Sequence, residues 1–106
     1  MNLYRGKRIL VLEPLVELGK NSEQAHFDIG KTAGKICDAL FLTNDNYINS
    51  IRKGVKSSGR SISVTVASPF KISKFISQNC KRDDVIIFEG KEAQLAIKAV
   101  QVEMIY

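Results

Sequence analysis

Arg8-Ile9-Leu10-Val11-Leu12-Glu13-Pro14-Leu15-Val16-Glu17-Leu18-Gly19 is the stretch whose reading decides the fold of this chain. Its opening, Arg8 to Leu12, is a short and almost wholly apolar run, the pattern of a strand covered on both faces, as in a parallel sheet. Pro14 and Gly19 then break the chain into a loop. Loops at the carboxyl ends of parallel strands are where such sheets meet ligands, so the segment from Glu13 to Gly19 is the expected working surface.

The same unit recurs downstream. After a cap at Asn21, with Gln24 three residues on, Ser22 to Cys37 carries Ala25, Ile29, Ala33, Ile36 and Cys37 at helical spacing. Gly30 and Gly34 weaken that helix by about 1 kcal/mol each relative to Ala, so they are expected where it packs closely on the sheet. Ala39 to Leu42 reads as a second buried strand, ended by the turn residues Thr43, Asn44, Asp45 and Asn46. A second helix is expected from about Tyr47 to Ser57, with Ile48, Ile51 and Val55 inward and Gly59 as its stop. Ile62 to Val66 alternates and therefore belongs nearer a sheet edge. Ser68-Pro69 is a cap followed by a first-turn proline, opening a helix with Ile72, Phe75 and Ile76 on the buried side. Val85 to Phe88 is a fourth strand, then come Glu89 to Glu92 and a helix through Ala93, Leu95, Ala96, Ile97 and Val100. The tail Val102 to Tyr106 reads as a last strand or a frayed end. Alternating strands and helices imply right-handed βαβ units, hence an α/β fold: a three-layer Rossmann-like sandwich with a mostly parallel sheet and helices on both faces.

Composition agrees with one domain. The chain has 106 residues, 44% of them hydrophobic and 25% charged, the balance of an ordinary globular domain. Cys37 and Cys80 belong to no Cys-x-x-Cys pair and have no histidine at ligand spacing, which leaves no metal site in view, and Cys37 reads as a core thiol. No apolar run approaches the roughly 20 residues needed to span a bilayer. With no signal-peptide core either, a cytoplasmic location without a membrane partner is the expectation. The net charge of +5 invites a nucleic-acid reading, but the cations are dispersed. The densest group, Arg52, Lys53, Lys56 and Arg60, suits a helix end, and reads as a solvated face before an anion site, with nucleic acid last.

Gly30-Lys31-Thr32 resembles the end of a phosphate-binding P-loop, yet Ala25 stands where the motif needs its earlier glycine, and the tripeptide lies inside a helix. No Gly-x-Gly-x-x-Gly follows the first strand. His26 is the sole histidine and, with no partner to act on, reads as a packing or hydrogen-bonding residue before a catalytic one. Without a paired nucleophile and base or an acidic magnesium cage, no catalytic residue is expected in the chain alone.

Beyond these patterns, Gly6 to Gly19, followed by Ser22, His26, Ile29-Gly30 and Ala33, resembles the C-terminal domain of Mur ligases, most of all the branch that adds D-alanyl-D-alanine to the UDP-muramoyl tripeptide. Cys37 to Leu42, Asp83 to Lys91 and the helix after them fit the same pattern, so the resemblance covers nearly the whole chain. It implies a single domain, residues 1–106, either excised from a longer ligase of peptidoglycan synthesis in the cell wall or persisting as a free-standing copy, with excision the preferred reading. In that family ATP phosphorylates a carboxylate and an amine attacks the acyl phosphate. Three domains share the work: an N-terminal one holds the UDP-linked precursor, a central one holds ATP and magnesium, and the last brings the amino acid or dipeptide.

The resemblance therefore implies partners in the central ATP-binding and N-terminal UDP-precursor domains of the same protein, and no cofactor held by this domain alone. Glu13, Glu17, Gly19 and His26 would face ATP when the ligase closes. Thr43, Asn44, Asp45 and Asn46, with Gly90, Lys91 and Glu92, would hold the incoming amino acid or dipeptide. Physically, main-chain N–H groups at a helix start suit a carboxylate, and Lys91 would add a charge-assisted hydrogen bond. For Glu17 and Glu92 the plainer reading is acid favoured by a helix start. Two alternatives remain at this stage: a non-catalytic α/β binding or interaction module, and a small independent α/β enzyme.

Overall fold

The structure, a computed structural model, describes residues 6–14 and 21–96. Its elements run β1 (Arg8–Leu12), α1 (Ser22–Ile36), β2 (Ala39–Leu42), α2 (Ile48–Ser57), β3 (Ser63–Val66), α3 (Pro69–Asn79) and β4 (Val85–Glu89), and residues 91–96 are again helical. The strands form a four-stranded sheet in the order β3-β2-β1-β4, and every neighbouring pair is parallel.

Helices cover both faces because the strands alternate their side chains between two cores. On one face Leu40, Leu42 and Leu12 pack with Ala33 and Cys37 beneath α1, and with Ile51 and Val55 of α2. On the other, Ile9, Val11 and Phe41 meet Ile72 and Ile76 of α3 and Ala93 and Ala96 of the last helical turns. This is the expected three-layer α/β sandwich. The alternating third strand does lie at an edge, where its exposed and half-buried residues match its pattern.

Several local expectations are corrected. Asn21 sits at the N-cap of α1, but its side chain makes no capping bond. The helix ends at Ile36, which is 50% exposed rather than inward, and Cys37 follows as the C-cap. Gly30 does not pack on the sheet: a Cβ there would strike the carbonyl of Ile51, and one at Gly54 would strike the carbonyl of Phe27. The glycines let α1 and α2 touch main chain to main chain. Gly34 likewise faces Ser58 and Val55 at the end of α2. Tyr47 does not begin α2 but precedes it with a left-handed φ of 57°, and Ile62 falls just before β3. Phe75 is 39% exposed, its ring tilted against Phe41 at 5.0 Å, and Leu95 is 55% exposed.

Ser68 caps α3 as expected, accepting the N–H of Lys71 at 3.3 Å, with Pro69 in the first turn. Cys37 is buried, and loss of water around it pushes its thiol above the ordinary value, as expected of a core cysteine. Arg52, Lys53 and Lys56 are exposed, while the exposed Arg60 donates to the carbonyl of Lys35 at 2.7 Å, closing the C-terminal end of α1. Among the described residues no helix is long and apolar enough to cross a membrane. The expectations for Glu17 and Gly19, for Ile97 and Val100, and for the tail from Val102 to Tyr106 lie outside the described residues.

Candidate functional site

Parallel strands bring all their carboxyl ends to one edge of the sheet, and the register carries on past the strands. The N–H of Glu13 donates to the carbonyl of Glu89 at 2.9 Å, that of Thr43 to Leu12 at 3.0 Å, and that of Ala67 to Leu42 at 2.9 Å. The residues after β1, β2 and β4 are thus held side by side.

Glu13 lies at the centre. Its Oε1 accepts the N–H of Glu92 at 3.0 Å, joining the end of β1 to the first turn of the helix after β4. Gly90 makes room for this with a φ of 103°, and a Cβ there would run into the Glu13 side chain. On the other side, Asn44 Nδ2 donates to the carbonyl of the buried Pro14 at 3.2 Å, while Asn44 Oδ1 accepts the N–H of Asn46 at 2.9 Å. That inner bond is the local turn that asparagine favours. Thr43 Oγ1 is buried without a hydrogen-bond partner at the same place. Glu13, Asn44 and the Gly90–Glu92 turn are therefore joined by hydrogen bonds through Pro14 and the strand ends. Asp45 and Lys91 lie exposed beside them.

His26 takes a different position. It is 1% exposed on α1, and its Nδ1 lies 2.7 Å from the carbonyl of Ser22. A carbonyl only accepts, so Nδ1 carries the proton. The imidazole stacks on Tyr47 with centroids 4.3 Å apart and planes within 8°. The pair links the first turns of α1 to the entry of α2, next to the Thr43–Asn46 turn. Tyr47 is the residue that sequence reasoning missed. An aromatic directly after Asn44-Asp45-Asn46 predicts the first residue of a helix, and nothing in that pattern carries the left-handed φ of 57° or the stacking on His26.

The site is made of main-chain donors, a carboxylate and amide groups. Among the described residues no three histidine, cysteine or acidic side chains gather to hold a metal ion. Its carboxylate is already partnered, so an incoming carboxylate at the Glu92 N–H would compete with Glu13.

With this geometry in place, comparison with known proteins identifies the fold. No family model and no curated protein matches the chain. Among solved structures, it is similar to part of the MurF ligase of Thermotoga maritima, determined in complex with ADP. The superposition has a TM-score of 0.71 at 19% sequence identity, and it covers 95% of this chain but 23% of the ligase. At that identity the likeness defines a class by fold, an α/β domain of Mur-ligase-like architecture. The chain spans under a quarter of the ligase it matches.

Proposed function

We propose that this chain is the C-terminal-type domain of a Mur-type, ATP-dependent amide ligase, which brings the incoming amino acid or dipeptide and closes on the ATP domain. Supporting this reading is one conjunction. The fold resembles part of a ligase crystallised with a nucleotide, and Glu13, Asn44 and the Gly90–Glu92 turn converge at the ligand-binding end of the sheet. In this reading Thr43, Asn44, Asp45, Asn46, Gly90, Lys91 and Glu92 hold the substrate. Glu13, Glu17 and Gly19 form the side toward ATP, and the buried His26, stacked on Tyr47, steadies the start of α1 without touching nucleotide. ATP and magnesium belong to the central domain, the UDP-linked precursor to the N-terminal one, and the cytoplasmic product is a cell-wall precursor.

The chain alone is expected to hydrolyse no ATP. In the full-length protein, Lys91→Ala should raise KM for the amine substrate about tenfold by removing one charged hydrogen bond, with KM for ATP unchanged. Steady-state kinetics with each substrate varied separately checks this, and an unaltered amine KM removes the assignment of Lys91. An upstream Gly-Lys-Thr or Gly-Lys-Ser P-loop in the same reading frame is the cheaper requirement.

One observation favours a second reading, a non-catalytic α/β binding module: the Glu13 carboxylate already fills the Glu92 N–H that a substrate carboxylate would use. Glu13→Gln separates the two. A ligase domain gains or loses turnover with it, whereas a module without a ligase role has no amide-forming activity to change.

A further inference from the structure

β3 is the outermost described strand on the side of the sheet opposite β4. The N–H of Ala67 donates to the carbonyl of Leu42 at 2.9 Å, so Ala67, Thr65 and Ser63 direct their main-chain groups toward β2. By strand alternation Val64 and Val66 direct theirs outward, where no described strand pairs with them. Their side chains lie on the α2 face, since their register partners Leu40 and Leu42 belong to the core beneath α1 and α2.

Beside this open edge runs a groove of about 520 Å³, floored by Val55, Ile62 and Val64 and lined by Arg52, Lys56 and Arg60. No acidic side chain lines it, and none of its residues belongs to the candidate site. Arg60 shares Asp38 with Arg8, whereas Arg52 and Lys56 have no acidic partner among the described residues.

We propose that the β3 edge is a docking site for an acidic peptide segment, which adds to the sheet as a further strand and sets aspartate or glutamate side chains at alternate positions against Arg52 and Lys56. Two features select this occupant. A row of outward main-chain donors and acceptors is matched by another main chain, which nucleic acid and inorganic anions do not supply. The cations add a spacing. Arg52 and Lys56 stand one turn apart on α2, about 6 Å along its axis. Alternate side chains of a strand stand about 6.6 Å apart, so a strand on this edge carries one carboxylate past each cation.

A second copy of β3 is the occupant that the same residues oppose. Antiparallel pairing of two such edges about a two-fold axis normal to the sheet puts both α2 helices on one face. Arg52, Lys56 and Arg60 of each copy would then line a common junction, where like charges repel. The cations thus guard the edge against self-pairing while leaving it open to an acidic strand.

Amide chemical shifts of the isotope-labelled 106-residue chain, titrated with a short acetylated and amidated peptide that alternates threonine with glutamate, test the proposal. The expected shifts centre on Ile62, Val64 and Val66 and on Arg52 and Lys56 of α2, and they shrink as salt is added. Arg52→Glu and Lys56→Glu, both at exposed positions, should each weaken the peptide about tenfold, and the double variant should bind the lysine analogue of the peptide instead. Val66→Pro removes one outward N–H, a change that an edge strand accepts. It should weaken binding about tenfold with far-UV circular dichroism unchanged. The peptide methylated on its main-chain nitrogens keeps its charge and should not bind. Binding that survives this methylation, or an oligothymidylate that displaces the peptide at equal charge concentration, shows a plain cationic surface and overturns the proposal. So does a titration without shifts at β3, or peptide binding indifferent to Arg52→Glu and Lys56→Glu.

Discussion

Asp84 shows how much one side chain can hold together. Its Oδ2 accepts the N–H of Lys81 and its Oδ1 that of Lys7, each at 2.8 Å, tying the turn before β4 to the chain entering β1. Those main-chain donors, Lys81 first and then Lys7, hold its carboxyl below the ordinary value of 3.8. A folded-state value below the unfolded one makes the charged form stabilising. The contribution is complete above pH 3.8 and fades as pH falls through the lowered value. Asp84→Asn should therefore lower Tm at neutral pH, with the gap to the native chain closing in acid. Thermal unfolding followed across pH checks this, and a gap that persists unchanged in acid counts against it. Glu13 is a comparable case with a different consequence. The sequence marked it as loop, but its bond to Glu92 depends on a strand end and a helix start separated by 79 positions.

Among the elements, the α1–α2 contact is the most demanding. Gly30 and Gly54 each face the carbonyl of the opposite helix, where a methyl group has no room and main chain cannot turn aside. Gly30→Ala should cost about 1–3 kcal/mol through overpacking, despite the better helix propensity of alanine. Gly34→Ala should cost less, because its nearest obstacle, the Ser58 Oγ, can rotate away and leaves the Ser58 Cβ at 2.8 Å and the Val55 carbonyl at 3.1 Å, farther off than the Ile51 carbonyl that a Cβ at Gly30 would strike. Urea unfolding of the two variants gives the comparison, and equal costs would mean that main-chain contact is not the constraint. The helix pattern in the sequence announced α1 and its glycines, but not what they touch. Periodicity places a residue on a face of its own helix and carries no information about which neighbour lies there.

At the scale of the molecule, the sheet is the wall between two cores. Leu40 belongs to the α1–α2 side and Ile72 to the α3 side, both fully buried. Leu40→Ala and Ile72→Ala should each cost about 2–5 kcal/mol. Because both cores share the same strands, each variant should still unfold in a single transition. Coincident tyrosine fluorescence and far-UV circular dichroism curves would bear this out, and separate transitions for the two faces would show that the halves unfold independently. The likeness to one part of a much longer ligase is also a property of this scale: short stretches between Gly6 and Lys91 resemble the family, and the superposition of 95% of the chain at 19% identity bears out the fold.

Sequence alone determined the order of strands and helices, the parallel sheet, the edge position of β3, the Ser68-Pro69 helix start and the loops that form the candidate site. These follow from local chemistry: period-two and helical spacing, apolar runs, caps and turn residues act within a few positions of the chain. Tertiary structure decided the rest. It placed Gly30 against Ile51 instead of the sheet, exposed Ile36, set Tyr47 under the ring of His26, and gave the Glu92 N–H to Glu13. Each depends on groups far apart in the chain, whose meeting is set by how the layers pack and not by any local preference.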